Sequence, residues 1–214
     1  MKIVIERNEA DFVAENITKG IIALPTGKTP LRMYQELIKK KINWDTIKIF
    51  MLDVNYPQNP ADESSFLSYI KLNLFNHISL PAENFNILDS QTDDPEKECQ
   101  EYEAKIASVG GLDLAILGIG ENGHIAYNEP GTDFKSLTHL AELANHKFGL
   151  TMGIKTIMSA RKIILLAKGK HKAQAIKAAI EGPVSLDCPA SVLQNHPNTT
   201  YLLDYEAGRL LSNY

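Results

Sequence analysis

The chain contains Leu114-Ala115-Ile116-Leu117-Gly118-Ile119-Gly120-Glu121-Asn122-Gly123-His124-Ile125-Ala126-Tyr127-Asn128-Glu129-Pro130, and this stretch is the most informative part of its sequence. Its first four residues form an apolar run that predicts a buried strand. The glycines that follow let the backbone turn sharply and approach a ligand closely. Histidine, asparagine and glutamate come next, and these side chains can build an oriented general acid/base. A glycine-rich turn with incidental polar groups is the alternative, but the density of reactive side chains favours an active site.

Strand-like and helix-like segments alternate along the rest of the chain. The predicted strands cover residues 20–24, 47–52, 86–88, 112–117, 162–167 and 201–203. The predicted helices cover residues 30–41, 64–77 (capped by Asp62 or Ser64), 94–109, 151–160 and 171–180. Glycine and proline at the junctions predict βαβ units around a mostly parallel sheet flanked by helices. We therefore expect one doubly wound, Rossmann-like α/β domain over residues 1–214.

Composition narrows the class of function. The 214 residues carry a formal charge of −4, with 44% apolar and 22% charged residues. This balance argues against non-specific binding to nucleic acid or a membrane surface. No apolar run reaches transmembrane length and the first residues do not resemble a signal peptide, so we expect a cytoplasmic protein. Cys99 and Cys188 are far apart and lack metal-ligand spacing, which predicts two free thiols.

Three candidate sites follow predicted strands, and parallel sheets place their ligands at the carboxyl ends of strands. The turn Thr26-Gly27-Lys28-Thr29 lies between a strand and a helix, where backbone N–H groups and the helix dipole can hold phosphate. It lacks the spacing of a Walker A loop, and an ordinary turn explains it about as well. Asp53 ends the second strand. Taken alone, it favours a helix cap or loop anchor over a catalytic base with a raised pKa.

Histidines and lysines supply the remaining candidates. His124 needs a partner to fix its tautomer, and Asn122 or Glu129 can supply one. The other five histidines have no comparable setting, and we expect them at the surface or in packing. No histidine pair has metal-ligand spacing, so we expect no metal. Basic residues follow the strand at 162–167, as Lys170, His171 and Lys172. They indicate either a bound anion or a solvated surface.

The residues together resemble the glucosamine-6-phosphate deaminase/isomerase family, which shares its fold with the 6-phosphogluconolactonases. The blocks that carry this resemblance run through nearly the whole chain in family order: Leu24 to Pro30, Leu52-Asp53, Leu117 to Pro130, Thr151 to Ile154, Glu181 to Val184, Pro189 to Gln194, and His196-Pro197. The Asn128-Glu129-Pro130 ending is characteristic of the deaminase branch. The resemblance implies conversion of a hexosamine 6-phosphate to a ketohexose 6-phosphate and ammonia, without metal or organic cofactor.

The resemblance also implies roles for individual residues. Asp53 matches the base that moves a proton from C2 to C1 of the sugar, and His124 matches the group that protonates the ring oxygen. Asn122 and Glu129 match the partners that orient the imidazole; the family accepts Asp or Asn at position 122. Gly118 and Gly120 would bring backbone N–H groups near the sugar. The positions that match phosphate binding are Thr26, Gly27, Lys28, Thr29 and Lys172.

The chain departs from the family pattern at three places. Val54-Asn55 follows the base where the family has Glu-Tyr, and Leu137-Thr138 stands where Arg-Thr or Gln-Thr is usual. Only seven residues, 144–150, separate Leu143 from Thr151, whereas the family carries a longer lid segment there with a phosphate-clamping Arg. We hypothesise that Lys28 replaces the charge of that Arg, with Lys147 as the rival candidate.

Three functions remain open at this level. The first is a hexosamine-6-phosphate isomerase/deaminase, for the glucosamine or the galactosamine epimer. The second is a sugar-phosphate sensor of low activity, which the short lid segment favours. The third is a lactonase, which Asn128-Glu129-Pro130 disfavours. In each case the expected partner is a small sugar phosphate, with no nucleic acid and no membrane; a homo-oligomer is compatible with the sequence, which does not give the oligomeric state.

Overall fold

A computed structural model describes residues 2–5, 9–143 and 146–212. Seven strands form a parallel sheet in the order β1-β10-β9-β6-β2-β3-β5. Their bounds are Lys2–Ile5 (β1), Gly20–Leu24 (β2), Ile47–Met51 (β3), Phe85–Asn86 (β5), Leu114–Leu117 (β6), Lys162–Ala167 (β9) and Thr199–Leu203 (β10). Three further strands form an antiparallel sheet in the order β4-β8-β7. They are Asp53–Tyr56 (β4), His139–Leu143 (β7) and Lys147–Thr151 (β8).

Helices connect the strands, and their caps follow from the sequence. They are Glu9–Asn16 (α1), Leu31–Lys39 (α2), Phe66–Asn73 (α3), Pro95–Ser108 (α4), Ile154–Met158 (α5), Ala173–Glu181 (α6) and Tyr205–Gly208 (α7). Helix α4 is capped by Asp94, whose side chain accepts from the N–H of Lys97 at 3.1 Å, and it has Pro95 in its first turn. Both choices suit a helix start, because the cap satisfies a free N–H and proline needs none.

The parallel sheet is buried on both faces. Alternate residues of β2 belong to different cores: Ile22 and Leu24 pack with α1 and α2, whereas Ala23 packs with α4 and α6. This alternation follows from the two-residue period of a strand. The chain runs from β2 outward to β3 and later returns to β6 on the other side of β2. The strand order therefore reverses between β2 and β6, which is the crevice where α/β sheets bind ligands.

The doubly wound α/β prediction is confirmed, and several details of it are corrected. The predicted helix 151–160 is wrong over its first residues, because Thr151 ends β8 and the helix covers only Ile154–Met158. The predicted helix 64–77 is shorter, and its cap is Ser65, which accepts from the N–H of Ser68, rather than Asp62 or Ser64. Cys99 and Cys188 are free, as predicted, and both are buried.

The sequence analysis did not predict the antiparallel sheet or strand β1. The chain leaves the parallel sheet at Leu52, whose N–H donates to Leu24 and whose carbonyl accepts from Met152. One residue later Asp53 pairs with Thr151 in the antiparallel sheet. The first residue of β4 therefore stands at the carboxyl edge of the parallel sheet, beside the crevice.

No helix among the residues described is long and apolar enough to cross a membrane.

Candidate active site

A cleft of about 350 Å³ lies at the carboxyl edge of the parallel sheet. Its walls come from the loops that follow β2, β3, β6 and β9. It contains every predicted site residue except Asn122 and Glu129, which stand behind His124. The residues that line it are Pro25 to Pro30, Leu52, Asp53, Phe66, Gly118, Ile119, Gly120, His124, Ala126, Tyr127, His171 and Lys172. The fold thus brings together four loops that are far apart in sequence.

Asp53 is a buried carboxyl group at the floor of this cleft. It is 7% exposed, and its side chain makes no hydrogen bond or ion pair among the residues described. Burial alone raises the pKa of Asp53 to about 7, because the charged form loses its hydration without gaining a partner. The structural role that the residue suggested on its own is therefore wrong. Asp94 and Asp204 do cap helices, with side-chain bonds to backbone N–H groups that Asp53 lacks.

His124 is held by the two partners that the sequence predicted. Nδ1 of His124 lies 3.1 Å from Oε1 of Glu129, an ion-pair distance without the alignment of a full hydrogen bond. Asn122 connects the two residues: its Nδ2 donates to Glu129 Oε2 at 2.7 Å, and its Oδ1 accepts from the His124 backbone N–H at 3.2 Å. Burial lowers the pKa of His124, whereas the Glu129 carboxylate acts in the opposite direction.

Gly120 makes room for the imidazole. A Cβ atom at this position would overlap Nδ1, Cε1 and Cγ of the His124 ring, so the ring packs directly on the glycine backbone. The N–H of Gly120 donates to the carbonyl of His124 at 2.9 Å. This corrects the expectation that the Gly120 N–H is available to a sugar, because that donor is already used. At Gly118 a side chain would project into open space at the wall of the cleft.

The loop from Thr26 to Thr29 is anchored from below by two tyrosines that the sequence analysis missed. Tyr34 of α2 donates to the carbonyl of Pro25, and Tyr69 of α3 donates to that of Gly27, each at 2.5 Å. Their rings meet edge to face at 6.4 Å. The anchored carbonyls point towards the helices, and the residues of the loop line the cleft just before α2 begins. This arrangement suits an anion better than an ordinary turn does.

Basic side chains reach the cleft from two sides. Lys172 lies at the start of α6, where burial lowers the pKa of its ammonium group and the Glu121 carboxylate acts in the opposite direction. Lys28 is exposed on the loop after β2 and also lines the cleft. His171, which precedes Lys172 in the sequence and was expected at the surface or in packing, lines the cleft as well. Lys147 does not line it, since it stands four residues along β8 from Thr151, about 13 Å away.

A family model described as glucosamine-6-phosphate isomerases/6-phosphogluconolactonase matches residues 5–202. This chain belongs to that family. A glucosamine-6-phosphate deaminase of Clostridium acetobutylicum is 43% identical over 90% of the chain and 88% of the relative. A second one, from Halothermothrix orenii, is 39% identical over 99% of the chain and 100% of the relative. The latter alignment runs over 241 positions, more than the 214 residues here, so this chain carries gaps relative to it.

Two solved structures share the family's fold with this chain. A structure of a monomeric glucosamine-6-phosphate deaminase superposes with a TM-score of 0.93 at 35% identity, covering 98% of this chain and 100% of the other. A 6-phosphogluconolactonase from Thermotoga maritima superposes with a TM-score of 0.81 at 24% identity, covering 95% and 99%. The first comparison covers nearly all of both chains, so that deaminase and this chain have nearly the same length.

The departures from the family pattern now have locations. Val54 stands where the family has Glu, and it is buried in the core on the face of β4 opposite to Asp53. Asp53 therefore has no carboxylate next to it along the strand. Four of the seven residues of the short segment 144–150 belong to strand β8, and residues 144 and 145 lie outside those described. Leu137 is exposed, and its backbone packs on Gly153. Among the described residues no arginine lines the cleft.

Proposed function

We propose that this chain is a cytoplasmic enzyme that converts glucosamine 6-phosphate and water to fructose 6-phosphate and ammonia. The observation that carries the proposal is the placement of Asp53: a buried carboxyl group without a partner faces the same cleft as His124 and the Thr26–Thr29 loop. Such a group is poised to exchange a proton near neutral pH. The names of the relatives that match across most of this chain support the same reaction.

Ring opening is the first step, and we assign it to His124. The imidazolium gives its proton to the ring oxygen of the pyranose, the bond from C1 to that oxygen breaks, and the imidazole takes up the proton of the anomeric hydroxyl, which leaves an open-chain aldehyde. Glu129 stabilises the imidazolium form, and Asn122 holds that carboxylate in place. Packing on Gly120 fixes the plane of the ring. The three side chains thus form one unit, whose fixed geometry is what general acid catalysis requires.

Isomerisation follows, and we assign it to Asp53. The carboxylate removes the proton from C2 while the substrate's own ammonium group passes a proton to the aldehyde oxygen, giving an enolamine with a double bond between C1 and C2. Return of the C2 proton from Asp53 to C1 gives an iminium at C2; water adds there, the carbon–nitrogen bond breaks, and ammonia leaves as ammonium with the ketone behind it. A single carboxylate serves both transfers because C1 and C2 are adjacent. The raised pKa of Asp53 strengthens it as a base towards a weakly acidic C–H group.

Binding of the phosphate is assigned to Thr26, Gly27, Lys28, Thr29 and Lys172. The loop offers backbone N–H groups and hydroxyls at a helix start, and the two lysines that line the cleft add positive charge. A lysine ammonium is a point charge rather than a planar fork, so it binds phosphate with less geometric selectivity than arginine.

The proposal is tested with the purified protein and a panel of glucosamine 6-phosphate, galactosamine 6-phosphate, unphosphorylated glucosamine and 6-phosphogluconolactone. We expect ammonia from the phosphorylated glucosamine epimer, weaker turnover of the galactosamine epimer, and no lactone hydrolysis above the uncatalysed rate. Binding of glucosamine 6-phosphate without release of ammonia would instead indicate a sensor. Lactone hydrolysis without deamination would assign the chain to the other branch of its family.

A further inference from the structure

Tyr127 is a residue of the cleft to which the sequence analysis assigned no role. It lies three residues after His124 and two before Glu129, in the loop that follows β6. Its ring lines the cleft and packs against Phe66, with ring centroids 6.0 Å apart. Burial raises the pKa of its hydroxyl, and the nearby Asp53 carboxylate raises it further. The ring therefore stands between the loop of His124 and the strand of Asp53.

Three contacts fix Tyr127 on the antiparallel sheet. Its backbone N–H donates to Oγ1 of Thr151 at 3.1 Å. Its ring lies over Gly149, because a Cβ atom added at Gly149 would come within 2.6 Å of Cε2 of Tyr127. Its hydroxyl donates to Oδ1 of Asn55 at 2.6 Å. Asn55 is two residues from Asp53 and on the same face of β4, because side chains alternate along a strand.

The hydrogen bond between Tyr127 and Asn55 has a defined direction. Nδ2 of Asn55 donates to Oε1 of Gln58 at 3.3 Å, and Nε2 of Gln58 donates to Oγ of Ser64 at 3.1 Å. These bonds orient both amides and leave the Asn55 oxygen as the acceptor for the phenol. The hydroxyl proton of Tyr127 is thereby committed to Asn55. The departure of this chain at position 55 supplies the acceptor.

The bond also closes a turn that needs support. Ala126, immediately before Tyr127, has a φ of +50°, a conformation that favours glycine over residues with a Cβ atom. Asn128 ties the turn to the carbonyl of Met152 beyond β8, but not to β4. Among the described residues, the bond from Tyr127 to Asn55 is the sole side-chain hydrogen bond between this loop and β4.

We infer that Tyr127 is a positioning residue: through Asn55 it fixes the loop that carries His124 and Glu129 against the strand that begins at Asp53. The acid and the base of the proposed reaction stand on different segments, and this bond contributes to fixing their separation. The role in catalysis rests on the proposed function, whereas the mechanical role does not. Tyr127→Phe should therefore slow turnover more than it weakens binding or folding.

The test compares Tyr127→Phe, Asn55→Leu, the double variant and a matched control, Tyr56→Phe. Tyr56 lies on the opposite face of β4, where its hydroxyl donates to the carbonyl of Thr92 at 2.8 Å, outside the cleft. We expect kcat to fall roughly fivefold to tenfold in each single cleft variant, as for one net hydrogen bond, with KM changed less than about twofold. The double variant should lose no more than either single one. Tyr56→Phe should keep the kcat of the parent at a similar loss of stability.

Hydrogen exchange of the peptide that spans residues 118–130 gives a second readout that needs no activity. It should be faster in Tyr127→Phe and unchanged in Tyr56→Phe. Parental kcat and parental loop exchange in Tyr127→Phe overturn the inference, and so do additive losses in the double variant or a loss confined to KM. If the parent releases no ammonia, the proposed function fails by itself. In that case loop exchange decides alone: faster exchange supports the positioning role, and unchanged exchange overturns it.

Discussion

Replacing Asp53 by asparagine should stabilise the folded protein at alkaline pH although it removes the proposed base. The pKa of Asp53 is about 7 in the folded state, against an ordinary 3.8, because the carboxylate is buried without a partner. The folded state therefore holds its proton up to a higher pH than the unfolded state does. Stability contributed by this group is complete below about pH 4 and is lost as the pH rises to about 7.

The size of the effect follows from the two pKa values. Their difference corresponds to about 4 kcal/mol of unfolding free energy at about 1.4 kcal/mol per unit of pKa. About 2 kcal/mol of this is already lost at pH 5.5, and nearly all of it at pH 8.5. The neutral amide of Asp53→Asn escapes this loss. A buried amide without partners offsets part of the gain, by about 1–3 kcal/mol at every pH.

The change with pH in the stability difference between the parent and Asp53→Asn is thus a sharper test than the difference at a single pH. Urea unfolding of the parent and Asp53→Asn at pH 5.5 and 8.5 should show their free-energy difference moving by about 2 kcal/mol in favour of the variant at the higher pH. Other titrating groups are common to both proteins and cancel. Asp62→Asn, at an exposed position, serves as the control and should show no such change. A constant difference between parent and Asp53→Asn at the two pH values would refute the reasoning.

Three further predictions concern the rest of the cleft. Gly120→Ala should displace the His124 ring and lower kcat by at least about 100-fold, as for loss of a general acid, while circular dichroism shows a folded protein; parental turnover would contradict the packing argument. His124→Gln should slow turnover of the cyclic sugar far more than that of an open-chain analogue, measured by ammonia release; equal losses would assign His124 to binding. Lys28→Ser should weaken binding of glucose 6-phosphate by at least about tenfold in calorimetry, as for loss of a charge-assisted hydrogen bond, and should leave binding of glucose unchanged. The control Lys147→Ser should change the binding of neither sugar. Equal affinities of Lys28→Ser and the parent for glucose 6-phosphate would mean that Lys172 and the loop bind the phosphate without Lys28.

Periodicity and junction residues were enough to predict six of the seven described strands of the parallel sheet and five of the seven described α-helices, but not β1, α1 or α7. The buried runs at 20–24 and 162–167 match β2 and β9 without a shift of a residue. Because strand ends of a parallel sheet meet at one edge, the same reading brought Asp53, His124 and the Thr26–Thr29 loop to one cleft. What it predicted rests on local patterns that each segment carries by itself.

The antiparallel sheet could not be predicted in this way. Strand β4 follows β3 after a single residue, Leu52, and no glycine or proline marks the point where the chain passes from one sheet to the other. Strand β8 contains Gly149, which weakens a strand signal and is explained only by the Tyr127 ring above it. Tyr34 and Tyr69 read as core residues of their helices, since nothing local shows that their hydroxyls reach the loop after β2. These features depend on contacts between distant segments.

The central claim is that Asp53 moves the proton during release of ammonia from glucosamine 6-phosphate. The most direct test measures ammonia release and equilibrium binding of this sugar with the parent and with Asp53→Asn. We predict that the parent releases ammonia, and that Asp53→Asn binds the sugar within about threefold of the parent while turnover falls by at least about 100-fold, as for loss of a general base. Turnover by Asp53→Asn at the rate of the parent would contradict the account.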